Sequence, residues 1–536
     1  MDSGWGMPYH APMVDNRKTA AGWAALAVVL AGVFPFASDM LRNFPLFTAE
    51  QLAWSLAAVV AGTLGVFAAA RLAARGAAAL LRRVGRPPGA RLANGIQALA
   101  TAAVFAAFLY DANVTQLRQD YGLPRIAAAA VLLALFILYW AVAFRLGPKG
   151  TCTVLAALLA FRAGQTAWTV SKTSVRGDAL VGSGEIEVYE GVKLDRKPNI
   201  YFFCLESYHG FAALQELYGF ENREMRDFLA ENGFTVSPEV FANYWYTMSS
   251  LQSLFQMGHH YAAGVFGNHD SLYARGFVSG SANYYNPVLN ILKRNGYDIA
   301  YLLPSDYYYR PGAGLVDFSL LARSWPLAPL KVSLARFIGR EPDTYVPDYE
   351  NEVARTLAAW PGDKPTFFLI KLGAEHSARI YDYRKDRAAF AARYLETLRA
   401  ANSWIEALCR QIIAKDPDGI IILAGDHGAQ SYKMAEWDFS PALRAGQLST
   451  DLLVWDLHEV LLAIRWGGKP VPAAFPYRSL ANVMRYVLAQ LGGGEALLAT
   501  AVPDDAFIRE RGVLIQTVGA GRPLPEWKPA SVPQSR

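Results

Sequence analysis

Cysteine is scarce in this chain. Three are spread over 536 residues, Cys152, Cys204 and Cys409. No CxxC pair and no Cys/His spacing occurs among them, which excludes a disulfide framework and a thiolate-bound metal. Internal repeats and low-complexity tracts are absent as well. A strong charge of one sign is also missing, since the net charge is only +5. The basic residues that do cluster, Arg71, Arg75, Arg82, Arg83, Arg86 and Arg91, lie beside apolar segments. There they read as a topology signal, and no nucleic-acid partner is expected.

What the chain has in excess is hydrophobicity, 53% of residues with a mean hydropathy of +0.14. The excess sits before about residue 171. A bilayer crossing takes roughly 20 apolar residues. Thr19–Ser38, Gln51–Ala70, Leu92–Tyr110 and Ile126–Phe144 meet that length without a charge. Gly150–Val170 is a fifth candidate, interrupted by Arg162. Entered from the inside, that helix would carry Arg162 roughly 18 Å along, past the midplane. From there it can snorkel outward or hold a lipid phosphate. Loop charge then alternates in, out, in, out, in, and a fifth crossing leaves everything after Lys172 outside the cytoplasm. Without that crossing the remainder would be cytoplasmic. The expectation is a five-span helical membrane domain over 1–171, a polar linker over 172–198 and a second domain over 199–536.

The second domain alternates short apolar runs with amphipathic stretches. Asn199–Leu205, Asp298–Leu303, Thr366–Lys371 and Gly419–Ala424 read as fully buried strands; Pro287–Arg294 and Ala388–Lys415 read as helices. This alternation predicts an α/β domain, a mostly parallel sheet with helices on both faces. Chemistry in such sheets gathers at the carboxyl ends of the strands. The first strand runs into Glu206-Ser207, and the last into Gly425-Asp426-His427-Gly428. Two carboxylates and an imidazole at one sheet edge suit Zn²⁺ or Mn²⁺.

With these residues in view, the chain resembles the alkaline phosphatase/sulfatase superfamily. It is most similar to the membrane-bound branch of lipoteichoic acid synthases and of phosphoethanolamine and phosphoglycerol transferases. The resemblance rests on Asn199–Gly210, Asn243–Met257, Ile291–Leu302 and Ile420–Gly428. It implies an alkaline-phosphatase-like fold, with Glu206, Thr247, Asp426 and His427 as ligands of one divalent metal, Mn or Zn before Mg or Ca. It implies Thr247 as nucleophile, with Ser249 or Ser250 as the alternatives. A metal would lower the pKa of that hydroxyl, and a helix start there would present backbone N–H groups to a phosphate. His376 matches a substrate-contacting histidine that could protonate the leaving group; the alternative is an exposed loop residue. Arg379 could pair with phosphate, and His260 and Asn243 are further candidate substrate contacts. His209 is a candidate support near Glu206, while His458 and His269 match no motif.

The implied reaction moves a phosphoglycerol or phosphoethanolamine group from a membrane phospholipid to an envelope glycan or polymer. The implied location is a bacterial inner membrane, with the lipid bilayer itself as a partner and the catalytic domain outside. Water as acceptor would make the chain a hydrolase, and a non-catalytic envelope sensor is the third reading. Two departures from the pattern count. No C/S-x-P-x-R segment is present, which argues against sulfatase chemistry through formylglycine. The outer domain also lacks the cysteine pairs of the lipid A transferases.

Overall fold

In the computed structural model the described residues are 16–43, 49–85, 92, 94–104, 125–173, 183–259, 278, 285–304, 314–320, 348–372, 387–431, 449–467, 472, 474–510 and 513–529. The chain divides into two compact units. One ends at Lys172, and the other holds all described residues from Thr173 on.

The first unit is helical: α1 (Asn16–Asn43), α2 (Ala49–Arg83) and α3 (Arg125–Thr173), with residues 94–104 also helical. α3 is broken at Gly147, whose φ of 64° is left-handed, just before Pro148. Proline cannot continue the hydrogen-bond ladder and glycine accepts the reversal. The stretches Ile126–Phe144 and Gly150–Val170 are thus the two arms of one broken helix. Among the described residues, two stretches are long and apolar enough to cross a membrane, Ala53–Arg83 and Leu133–Gln165, where five spans were expected. Ala20–Phe34 is apolar but shorter, and Leu92–Tyr110 runs beyond the described residues. Leu72, Leu80, Leu133, Leu138 and Phe161 are exposed on these helices. Arg162 donates to Gln165 Oε1 at 2.9 Å, one turn along.

The second unit is built on a seven-stranded sheet, in the order β2-β9-β7-β1-β6-β4-β5. Its central strands are β7 (Ile420–Gly425), β1 (Ile200–Leu205), β6 (Thr366–Leu372) and β4 (Asp298–Leu302). They run parallel, with β5 (Phe318–Ser319) at one end. β9 (Leu462–Arg465) and β2 (Phe234–Val236) add an antiparallel edge that the sequence reading did not foresee. The central strands are apolar throughout because both faces are covered. Ile200, Phe202 and Cys204 enter one core, with α7 (Thr247–Gln256) and α8 (Pro287–Arg294). Tyr201, Phe203 and Leu205 enter the other, with α5 (Phe211–Tyr218), α6 (Arg223–Glu231), α9 (Tyr349–Ala359) and α10 (Arg387–Lys415).

Residues 172–198 are more than a polar linker. They contain α4 (Ser183–Gly191), which buries Tyr189 in the first of these cores and pairs Glu190 with Arg294 at 2.7 Å. A short pair, β3 (Val240–Phe241) with β8 (Glu459–Val460), and a three-stranded antiparallel sheet, β10 (Ala506–Glu510), β11 (Val513–Gly519) and β12 (Arg522–Pro529), complete the unit. α11 (Thr450–His458) leads into β8.

Candidate active site

The carboxyl ends of the three adjacent strands β7, β1 and β6 form the site. Beyond the strands the ladder runs on for one bond on each side. Asp426 N–H donates to Leu205 O at 3.0 Å, and Glu206 N–H to Leu372 O at 2.9 Å. Two carboxylates are thereby set side by side. Ser207 then turns through a left-handed φ of 56° and donates its N–H to Asp426 Oδ1 at 2.9 Å. Between the carboxylates lies Lys371, the last residue but one of β6. Its Nζ is 2.7 Å from Asp426 Oδ2 and 3.3 Å from Glu206 Oε2, and its side chain is fully buried. Burial works against the charge on Lys371, but the neighbouring carboxylates hold its pKa above the ordinary lysine value. Burial alone would raise the pKa of Asp426. The charges of His427 and Lys371, with hydrogen bonds from Lys371 and Thr247, outweigh it and hold the carboxyl below its usual range.

Thr247 is the first residue of α7. Tyr246 before it is extended and supplies no side-chain cap, so the N–H groups of the first turn are left uncapped by that residue. The Thr247 hydroxyl lies 3.3 Å from His427 Nε2. His427 Nδ1 lies 2.8 Å from Gly428 O, which accepts only and so places the proton on Nδ1. Nε2 is the ring nitrogen that faces the threonine. Two of the neighbouring hydroxyls are committed elsewhere. Ser250 Oγ donates to Tyr244 O at 2.8 Å, and Ser253 Oγ to Gly258 O at 2.6 Å.

The loop that carries Asp426 and His427 is held from behind by buried groups. A Cβ on Gly425 would come within 2.3 Å of Tyr208 O, and one on Gly428 within 2.2 Å of Asp456 O. Close approach, rather than a turn, is what requires these two glycines. Ala429 N–H donates to His209 Nε2 at 3.0 Å, so the His209 proton is on Nδ1 and goes to Glu459 O at 3.0 Å. Burial lowers the His209 pKa to about 4, which keeps the ring neutral. Asp456 Oδ1 accepts from both Ser431 N–H, at 2.9 Å, and Ser431 Oγ, at 2.6 Å.

Of the residues singled out from sequence, Glu206, Thr247, Asp426 and His427 come together at this edge. Asn243 does not serve as the expected substrate contact. It is fully buried, its Nδ2 donates to Ser479 Oγ at 2.7 Å and to Asp505 O at 2.8 Å, and its Oδ1 accepts from Ala481 N–H at 2.8 Å. It ties the start of the Thr247 segment to the C-terminal chain. His376, Arg379, His260 and His269 lie outside the described residues. His458 is a buried structural ring: Nδ1 donates to Ala242 O at 2.9 Å. The three cysteines are buried free thiols, and burial pushes Cys204 up to about 12. Sequence reasoning missed Lys371 and Asp456. A lysine inside the apolar run of a central strand was the available signal, because such a charge must meet a partner.

The donor chemistry fits a divalent ion. Donors at ~2 Å from one tetrahedral ion lie roughly 3.3 Å from each other. Thr247 Oγ1 to His427 Nε2 is 3.3 Å, and His427 Nε2 to Asp426 Oδ1 is 3.8 Å. Among the described residues no three His, Cys, Asp or Glu side chains gather around one point by themselves. The hydroxyl of Thr247 is what completes the group of three, with Glu206 joined to it through Lys371.

The family model described as Sulfatase matches residues 198–461, the span that carries all of these groups. No curated protein matches the chain. Among solved structures, the C-terminal periplasmic domain of EptC from Escherichia coli is similar at 14% identity, covering 61% of this chain and 95% of that one, with a TM-score of 0.38. The integral membrane lipooligosaccharide phosphoethanolamine transferase A from Neisseria meningitidis is similar at 12% identity, covering 88% and 96%, with a TM-score of 0.35. An alkaline phosphatase superfamily protein from Vibrio parahaemolyticus is similar at 13% identity, covering 63% and 83%, with a TM-score of 0.36. Residues 198–461, just under half of the chain, thus match the sulfatase family, and this match supports a sulfatase-like hydrolase/transferase.

Proposed function

We propose that the chain transfers a phosphoglycerol or phosphoethanolamine type group from a membrane phospholipid to a hydroxyl of an envelope glycan or polymer, through a covalent intermediate on Thr247. The observation that carries this reading is the Thr247 hydroxyl at a helix start, 3.3 Å from Nε2 of His427 and beside the Asp426 carboxylate. Glu206, Asp426, His427 and Thr247 would hold one divalent ion, Mn or Zn. Such an ion, when bound, lowers the pKa of a hydroxyl and offsets charge on a phosphoryl oxygen.

The residues then divide the work. Thr247 Oγ1 gives up its proton and attacks phosphorus in line. The bond from phosphorus to the diacylglycerol oxygen breaks, and that oxygen takes a proton, for which His376 is the candidate donor. The phosphodiester stays on Thr247 while the backbone N–H groups of the first turn of α7 hold its oxygens. An acceptor hydroxyl attacks phosphorus from the vacated side, and Thr247 leaves with a proton regained. Arg379 and His260 are candidate contacts to the phosphate group.

The membrane unit, residues 1–171, supports a lipid donor, because its two long apolar helices suit a bilayer. In this reading it crosses five times and sets the 199–536 domain on the outer side of a bacterial inner membrane, with residues 172–198 between them. Product analysis tests the choice of acceptor. Incubation with phospholipid should release diacylglycerol, and a glycan acceptor should capture the headgroup phosphate. Release of the same headgroup phosphate to water, unchanged by any glycan, would make the chain a phosphodiesterase instead.

A further inference from the structure

The two carboxylates assigned to the ion, Glu206 and Asp426, are joined through the ammonium group of Lys371. Lys371 lies opposite Cys204 of β1 in the parallel register, and Cys204 lies opposite Ala424 of β7. The lysine is thus two strands away from β7, yet its Nζ reaches Asp426 Oδ2 at 2.7 Å and Glu206 Oε2 at 3.3 Å. Its side chain is 0% exposed, against 1% for Asp426 and 12% for Glu206. Among the described residues, these three side chains formally carry two negative charges and one positive. Without the lysine, two like charges would face each other in a buried place, where repulsion is weakly screened.

We propose that Lys371 is a positioning residue, an internal cation that assembles Glu206 and Asp426 before any divalent ion binds and lowers the affinity of the site for that ion. The inference rests on the metal-site reading above. The lysine lowers by one unit the negative charge that an incoming ion meets, so the ion is bound less tightly, while the carboxylates already stand in place.

The test uses the full-length chain in detergent, stripped with EDTA. Mn²⁺ affinity is measured by titration calorimetry, and Tm is measured with and without Mn²⁺. Lys371→Met and Lys371→Gln remove the charge, and Lys371→Arg keeps it. The neutral variants are expected to bind Mn²⁺ at least about tenfold more tightly than wild type. Their Tm should fall in EDTA and recover more on adding Mn²⁺ than that of wild type, with Lys371→Arg close to wild type. Neutral variants that fold only with Mn²⁺ present give the same support. Neutral variants that stay unfolded in saturating Mn²⁺ overturn the proposal, since no ion then replaces the lysine. Equal affinity in wild type and the neutral variants overturns this inference and leaves the metal site standing. Absence of Mn²⁺ binding in every form overturns both.

Discussion

Thr247 Oγ1 and His427 Nε2 stand 3.3 Å apart although 180 residues separate them in the chain. The contact joins the start of α7 to the loop after β7. A hydroxyl in such a place is a nucleophile only if the groups around it lower the cost of losing its proton.

Replacing Thr247 should therefore remove the chemistry and leave the fold. Thr247→Ala is expected to lower the rate on a chromogenic phosphodiester by about 10³-fold or more. Thr247→Ser, which keeps the hydroxyl, should retain a measurable part of it. Ser250→Ala should change the rate little, since that hydroxyl is bound to Tyr244 O.

Asn243 tests the distinction between support and contact. Asn243→Ala strands Ser479, Ala481 and the Asp505 carbonyl in a buried region. The expected cost is about 3 kcal/mol of stability, read as a lower Tm. KM for a phosphodiester should be close to wild type in whatever fraction stays folded. A large rise in KM with an unchanged Tm would restore Asn243 as a substrate contact.

The loop supports should act on metal affinity. His209→Ala and Asp456→Ala each remove a partner of the loop after His427. Partners of this kind typically contribute about 10–100-fold in metal affinity. Mn²⁺ titration of the two variants measures it.

Stability should depend on pH in two opposed ways. Burial lowers His209 to about 4 and His458 to about 3. Between about 6.5 and those values the unfolded chain carries protons that the folded chain refuses, so stability falls as pH falls through that window. Burial raises Glu459 to about 8, against hydrogen bonds from the Ala213 and Gly210 backbone. Between 4.5 and about 8 the folded chain keeps a proton that the unfolded chain loses, so this group weakens the fold as pH rises. Glu459→Gln is expected to raise Tm at pH 8 relative to wild type and to change it little at pH 4.5. Thermal melts of both chains across pH 4–8 decide it.

Much of the fold could be read in the residues. The four buried strands appear within a residue or so of their predicted ends, because apolar runs bounded by turn residues have few other solutions in an α/β sheet. Glu206 and Asp426-His427 could be found because they follow those runs directly. The antiparallel edge, β9 with β2, was not legible: Leu462–Arg465 is four residues long and its pairing is set by distant chain. α4 was hidden by the polar look of its surroundings, although Tyr189 marks its buried face. Lys371 was read as the end of a strand because its partners lie on two other strands, and one-dimensional spacing carries no trace of such a meeting.

The most direct measurement is intact and peptide mass spectrometry of the full-length chain, incubated with bacterial membrane phospholipids and Mn²⁺ and then quenched in acid. A headgroup-phosphate mass on the peptide containing Thr247, lost in Thr247→Ala, is the predicted result. Turnover of phospholipid with no adduct in wild type and an undiminished rate in Thr247→Ala would contradict it.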